Sequence, residues 1–352
     1  MPEPISLVEL QLAARNHGMP LEAMRFDLTP VGLHYLLIHY DIPEVDPDAW
    51  RLEVDGLVER PLSLSLEDLR ARPSVDEVVT LECAGNGRAL VDPHVISQPW
   101  LFEAVGNARW SGTPLASVLE EAGVADTAVE VLFTGLDHGV EGGEQQAYAR
   151  SLPLDEALRG EVLLAYDVNG VPLPPQHGFP LRLVVPGWYG MTSVKWLDRI
   201  TVLEQPFQGY QMQQSYRLRH EEGDEGEPLS RVQVRALMVA PGIPEFLSRA
   251  RVVPAGECLL RGRAWSGEGA VTSVEVSADG GETWGEAELD EVGLGRWAWR
   301  GWSHTWHAEP GEHELCCRAY DDAGNTQPLE PPWNLGGYAN NVVQRIAVTV
   351  TA

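Results

Sequence analysis

The chain has 352 residues, 44% of them hydrophobic, with 35 Gly, 26 Pro and a formal net charge of −27. That length supports two domains with cores of their own, and the glycine and proline content implies many turns. The charge excludes nucleic acid and anionic membrane as natural partners, because phosphate recognition needs a basic surface. It favours a cationic protein partner, and any anionic substrate must sit in a local basic pocket.

In chain order, residues 1–28 read as an N-terminal arm. It contains a short helix over 6–15, capped by Ser6 with Glu9 three residues on. No basic stretch followed by an apolar one opens the chain, and no run is long and apolar enough to cross a membrane, so the expected location is the cytoplasm. Residues 29–219 mix strands and helices. Arg51–Gly56 alternates as a strand, Ser65–Arg70 starts as a capped helix, Leu115–Ala122 is helical, and Ala128–Phe133 and Leu181–Val185 are strands. Residues 220–230 are acidic, glycine-bearing and nearly free of apolar side chains, and predict a linker. Residues 231–352 read as all-β. Val274–Ser277 alternates, Asp279-Gly280-Gly281 predicts a hairpin turn with a return strand from Thr283-Trp284, and Arg296–Arg300 and Glu314–Tyr320 alternate again. The expected fold is therefore α+β: a mixed α/β domain, then an all-β sandwich of immunoglobulin type.

Chemistry concentrates in a few segments. Of the four cysteines, Cys258, Cys316 and Cys317 lie in strand-like surroundings and read as packed residues, and no Cys-x-x-Cys pair occurs. Cys83 differs. An apolar strand, Val78-Val79-Thr80-Leu81, leads to Glu82-Cys83-Ala84-Gly85-Asn86-Gly87-Arg88, which puts a thiol beside flexible backbone and an arginine. Such a setting suits a thiolate that binds a soft metal or attacks an electrophile, and a buried structural cysteine remains the alternative. The segment 176–187 places His177 and Arg182 around the entry to an apolar strand, with Lys195 further on. An arginine inside such a strand needs either an internal carboxylate or a bound anion of the phosphate type. No P-loop, HExxH or GxSxG motif is present.

Taken together, the ordered segments resemble the sulfite oxidase family of molybdenum enzymes. The resemblance rests on residues 81–88, Ala108–Leu115, Leu164–Gly170, His177–Gly187, Val194-Lys195-Trp196, Arg263–Gly267, Val276–Trp284 and Pro332-Trp333-Asn334. It implies a molybdenum–molybdopterin cofactor with Cys83 as the protein ligand to the metal. It also implies that His39, Asp137, a turn at Arg150-Ser151, His177, Arg182 and Lys195 bind the cofactor, and that Tyr216, Arg88 and Trp100 form the substrate pocket. The implied reaction is oxygen-atom transfer, with a bacterial-type chain that lacks the haem domain. The second domain would pair two copies, with Trp297, Trp299, Trp302 and Trp306 in its core or interface. Electrons would leave to a separate acceptor such as a cytochrome, or to oxygen.

One position departs from the family. An arginine two residues before the histidine of the N-terminal motif binds the substrate anion in the family, and here that position is Leu37. Sulfite oxidation is the expected activity. The alternative is an enzyme of the same fold acting on another sulfur compound or on an S- or N-oxide. A non-catalytic scaffold is a third reading, against which Cys83, Arg88 and Tyr216 together stand.

Overall fold

The computed structural model describes residues 5–352. Strands dominate, and the longest helix, Leu7–Arg15, has nine residues. The mixed α/β character expected of the first domain is thus weaker than its sequence implied: helices serve as short connectors between strands. The predicted caps form. Ser6 accepts from the Glu9 amide while the Glu9 carboxylate accepts from the Ser6 amide, and Ser65 with Asp68 repeats this at Leu66–Arg70. Leu115–Ala122 is helical as predicted, its apolar face buried by Leu115, Val118, Leu119 and Ala122.

Two sheets build the first half. One has five strands in the order Leu62–Leu64, Leu52–Gly56, Leu197–Leu203, Glu130–Glu141, Glu144–Pro153, with a parallel pair between Leu52–Gly56 and Leu197–Leu203. The other joins Val75–Glu82, Val105–Pro114, Leu163–Val168 and Val171–Pro172, with Arg182–Val184 also paired to Leu163–Val168. A core of Leu52, Val131, Phe133, Leu152, Leu164, Leu183 and Ile200 lies between them. The opposite face of the second sheet buries Val79, Leu81, Ala108, Trp110 and Val184. Being covered on both faces explains the unbroken apolar run at 183–185.

The second half packs two sheets face to face. Arg235–Val239, Gly256–Trp265, Arg300–Ala308 and Glu288–Leu289 form one. The other runs Ile243–Pro244, Arg251–Pro254, Gln344–Thr351, Gly311–Asp321, Val271–Ser277, Gly285–Glu286. Trp302 and Trp306 sit in the core between them with Leu260, Val274, Leu315 and Val348. One expected strand does not form, and another starts later than expected. Arg296–Trp299 is a turn, because the alternating Trp297 and Trp299 are drawn to the first half: Trp297 packs beside Val79 and Trp110, and the Trp299 indole donates to the Asp27 carbonyl at 2.9 Å. Thr283-Trp284 is irregular because the Asp279 carboxylate accepts from the backbone of Glu282 and Thr283, and the predicted return strand begins at Gly285–Glu286, antiparallel to Val271–Ser277. The acidic segment expected to be a linker is tied down instead. Glu227–Pro228 pairs with Arg217–Leu218, and the Arg217 guanidinium bonds the Met212 and Gly226 carbonyls. No helix among the described residues is long and apolar enough to cross a membrane.

Candidate active site

Cys83 emerges where strand Val75–Glu82 ends. Its amide donates to the Ala104 carbonyl at 2.9 Å and its carbonyl accepts from Asn86 at 3.0 Å, so the thiol sits on a closed turn. Two glycines permit that turn. Gly87 has φ +91°, and a Cβ at Gly85 would lie 2.5 Å from an Arg88 guanidinium nitrogen, which folds back over the turn. Burial pushes the Cys83 thiol pKa up, and Arg88 opposes that shift.

The sulfur faces a cavity lined by His34, Leu37, His39, Asp137, Tyr148, His177, Arg182, Ser193, Lys195 and Tyr216. Positions spread over 183 residues converge here from strands and from the segments between them. His177 closes a short turn before Arg182–Val184, and Lys195 precedes Leu197–Leu203. The register between Glu130–Glu141 and Glu144–Pro153 shifts from Thr134 to His138, and this bulge delivers Asp137 to the cavity. Tyr216 holds φ +56°, a costly conformation for a non-glycine residue, and its hydroxyl bonds His39 Nε2. Tyr148 stacks on His39 with ring centroids 4.6 Å apart.

The electrostatics is one-sided. Arg182 is buried over the Trp110 ring, 4.7 Å from its centroid, and donates only to the His177 and Ser193 carbonyls. Lys195 donates to the Leu37 carbonyl at 2.6 Å. Among the described residues neither cation, nor buried Arg150, forms an ion pair. The internal-carboxylate explanation of Arg182 therefore fails, and the bound-anion explanation stands. Arg182 Nε, His34 Nε2 and Asp137 Oδ1 are buried without hydrogen-bond partners, which is costly unless a ligand satisfies them. Burial, reinforced by Arg182, lowers the Lys195 pKa to about 7. Burial raises Asp137 to about 6, and lowers His34 to about 4 and His177 to about 2.

Those two buried histidines set a pH dependence. Each is neutral in the folded chain and protonates on unfolding below its ordinary pKa of 6.5, so each removes stability as pH falls from 6.5 towards 4. Asp137 works in the opposite sense between 3.8 and 6, because there the folded form holds the extra proton. In cofactor-free protein, His177→Gln is expected to flatten the acid limb of denaturant-derived stability by about 1.4 kcal/mol per pH unit. An unchanged slope contradicts the neutral buried histidine.

The sequence-derived residues divide. Cys83, His39, Asp137, His177, Arg182, Lys195 and Tyr216 meet at the cavity. Arg88, Trp100, Arg150 and Ser151 stand behind its walls. Arg88 bonds the Gly336 and Gln98 carbonyls, and Trp100 packs against Cys83. Arg150 and Ser151 form no turn; they lie within strand Glu144–Pro153 and face opposite ways. Arg150 lies over the Tyr216 ring, 5.4 Å from its centroid, and Ser151 Oγ is buried without a partner. Tyr35, Tyr148 and Ser193 escaped the sequence reading. Tyr148 is two residues before Arg150 on the same strand, so strand alternation carried a signal for it; Tyr35 lies in an irregular segment and carried none.

Comparison with known proteins identifies the two halves of the chain. A family model described as the oxidoreductase molybdopterin binding domain matches residues 39–211, and the Mo-co oxidoreductase dimerisation domain matches 228–351. Chicken (Gallus gallus) sulfite oxidase is 40% identical over 349 residues, covering 92% of this chain and 73% of that protein. Rat (Rattus norvegicus) mitochondrial sulfite oxidase is 38% identical over 346 residues, and the chain spans 62% of its length. A nitrate reductase [NADH] of Brassica napus is 35% identical over 353 residues, with 38% of its length covered. Among solved structures, the sulfane dehydrogenase SoxCD from Paracoccus pantotrophus superposes with a TM-score of 0.81 at 27% identity, over 95% of this chain and 86% of that one. With both family models matched and a sulfite oxidase 40% identical over most of its length, the chain belongs to the sulfite oxidase family of molybdopterin oxidoreductases.

Proposed function

We propose that the protein oxidises sulfite to sulfate at a molybdenum–molybdopterin centre with Cys83 as the protein ligand to the metal. The observation that carries this reading is that the thiol shares its cavity with Arg182 and Lys195, neither of which forms an ion pair among the described residues. The residues fit the group: Arg182, Lys195, His177 and His39 would hold its anionic and polar edges, and the orphaned Arg182 Nε and His34 Nε2 would gain partners. When bound, the group supplies two-electron redox chemistry and oxygen-atom exchange. The chain supplies charge and orientation. Burial pushes the Tyr216 hydroxyl well above its ordinary pKa, so it stays protonated. Burial, with Lys195 and Arg150, holds His39 near 3, so its neutral ring accepts the Tyr216 proton and fixes the hydroxyl's direction. Arg88 adds positive charge behind Cys83. The reading includes a second half that acts as an immunoglobulin-like dimerisation module, and a separate electron acceptor.

A second reading has its own observation. Leu37 lines the cavity with an apolar side chain, and its carbonyl is taken by Lys195. That favours a less anionic sulfur compound, or an S- or N-oxide. Sulfite-dependent reduction of ferricyanide by the purified dimer tests the first reading, and no turnover at millimolar sulfite moves the assignment to the second. If sulfite is the substrate, Leu37→Arg is expected to lower its KM by roughly one to two decades, the worth of one charge-assisted contact.

A further inference from the structure

The turn that carries Cys83 belongs to the first half of the chain, yet much of what holds it comes from the second. Asn340 is fully buried, and its Nδ2 donates to the Gly87 carbonyl at 2.7 Å. Its Oδ1 accepts from the Val342 amide, so the side chain is fixed at both ends. The neighbouring Ala339 amide donates to the Ala84 carbonyl at 2.8 Å, directly after the cysteine. The approach is close enough that a Cβ at Gly87 would lie 2.8 Å from the Asn340 carbonyl oxygen.

On the other side of the cysteine, Glu82 is held in the same way. Its carboxylate pairs with Arg235 at 2.8 Å and accepts from the Trp265 indole at 2.7 Å, both residues of the second half. Arg235 also bonds the Asn340 carbonyl, which closes a loop of contacts around the turn. Within the turn, Asn86 bonds Glu82, and its Oδ1 accepts from Ala104. The residues flanking Cys83 are therefore fixed from the far domain, by groups that touch neither the sulfur nor the cavity.

We propose that Asn340 is a positioning residue for Cys83: by bonding Gly87 it holds the turn in the one conformation that presents the sulfur to the cavity. This rests on Cys83 being the reactive thiol of the site. Without the Asn340 amide, the Gly87 carbonyl keeps only the Leu90 amide, and the turn gains freedom to open. Asn341 supplies a control. It is equally part of the buried segment, but its Nδ2 bonds Val234, inside the second half.

The test compares Asn340→Ala with Asn341→Ala in the full-length chain. Protein made without molybdate is treated with a maleimide, and labelling of the Cys83 peptide is timed by mass spectrometry. Asn340→Ala is expected to speed Cys83 labelling roughly tenfold, equal to about 1.4 kcal/mol in the opening equilibrium. Asn341→Ala should leave the labelling rate unchanged while lowering the melting temperature. In molybdate-grown protein, Asn340→Ala should retain less molybdenum after gel filtration than Asn341→Ala. Equal labelling in both variants overturns the proposal and leaves Asn340 a domain brace. Should Asn340→Ala fail to fold, Asn340→Asp, which keeps the shape and loses the donor, is judged by the same two outcomes. If the parent protein binds no molybdenum, the function proposed above fails, while the labelling comparison still decides the role of Asn340.

Discussion

Cys83→Ser is expected to abolish turnover while the chain still folds. Serine is close in size to cysteine, and the Cys83 backbone bonds to Ala104 and Asn86 do not involve the sulfur. A hydroxyl remains protonated where a thiol can ionise, so the replacement removes a soft anionic donor. Loss of an outer partner at a metal site costs roughly 10–100-fold, and loss of the ligand itself should exceed that range. Parent protein from a molybdate-replete host should carry about one molybdenum per chain, a stoichiometry that follows from one Cys83 cavity. Metal analysis that finds none in the parent, or a serine variant with parental turnover, sinks the assignment of Cys83.

Arg235→Met is expected to be among the most destabilising single changes in the protein. Arg235 and Glu82 are each 1% exposed and joined at 2.8 Å. Removing one partner leaves an uncompensated buried charge, typically at a cost of about 3–5 kcal/mol. Replacing both, as Glu82→Leu with Arg235→Met, should recover only part of that loss: the buried charge is gone, but the Trp265 indole and the Asn86 amide lose their acceptor. Denaturant unfolding of the two single variants and the double one measures this. A loss below about 1 kcal/mol for Arg235→Met shows that water reaches Glu82 and that the pair is not sealed.

The sequence revealed the local elements better than their company. Ser6 and Ser65 announced their helices because a capping box is a contact over three residues. Arg182 announced either a carboxylate partner or a bound anion because no strand buries a guanidinium for nothing, and among the described residues it bonds only carbonyls. Arg296–Arg300 misled because tryptophans at alternate positions mark a strand only when one face of a sheet buries them both. Here Trp297 and Trp299 are buried by the other domain. The turn at Arg150-Ser151 was implied by the resemblance alone, whereas in the fold both residues lie within a strand and Arg150 is buried over the Tyr216 ring. Tyr148 and Tyr35 went unread because an aromatic residue packs into a core far more often than it lines a cavity. Their place at the site arises only when residues 177 apart, His39 and Tyr216, come into hydrogen-bonding contact.

The contact between Asn340 and Gly87 spans 253 residues, and that separation governs when the site can mature. A ribosome delivers residues 83–88 long before residues 336–340, and until the latter emerge the Ala84 and Gly87 carbonyls lack these partners. The parallel pairing of Leu52–Gly56 with Leu197–Leu203 likewise waits for some 150 residues of intervening chain. The thiol turn is therefore among the last parts to gain its full set of contacts, and a chain that stops before residue 336 would leave the Ala84 and Gly87 carbonyls without them.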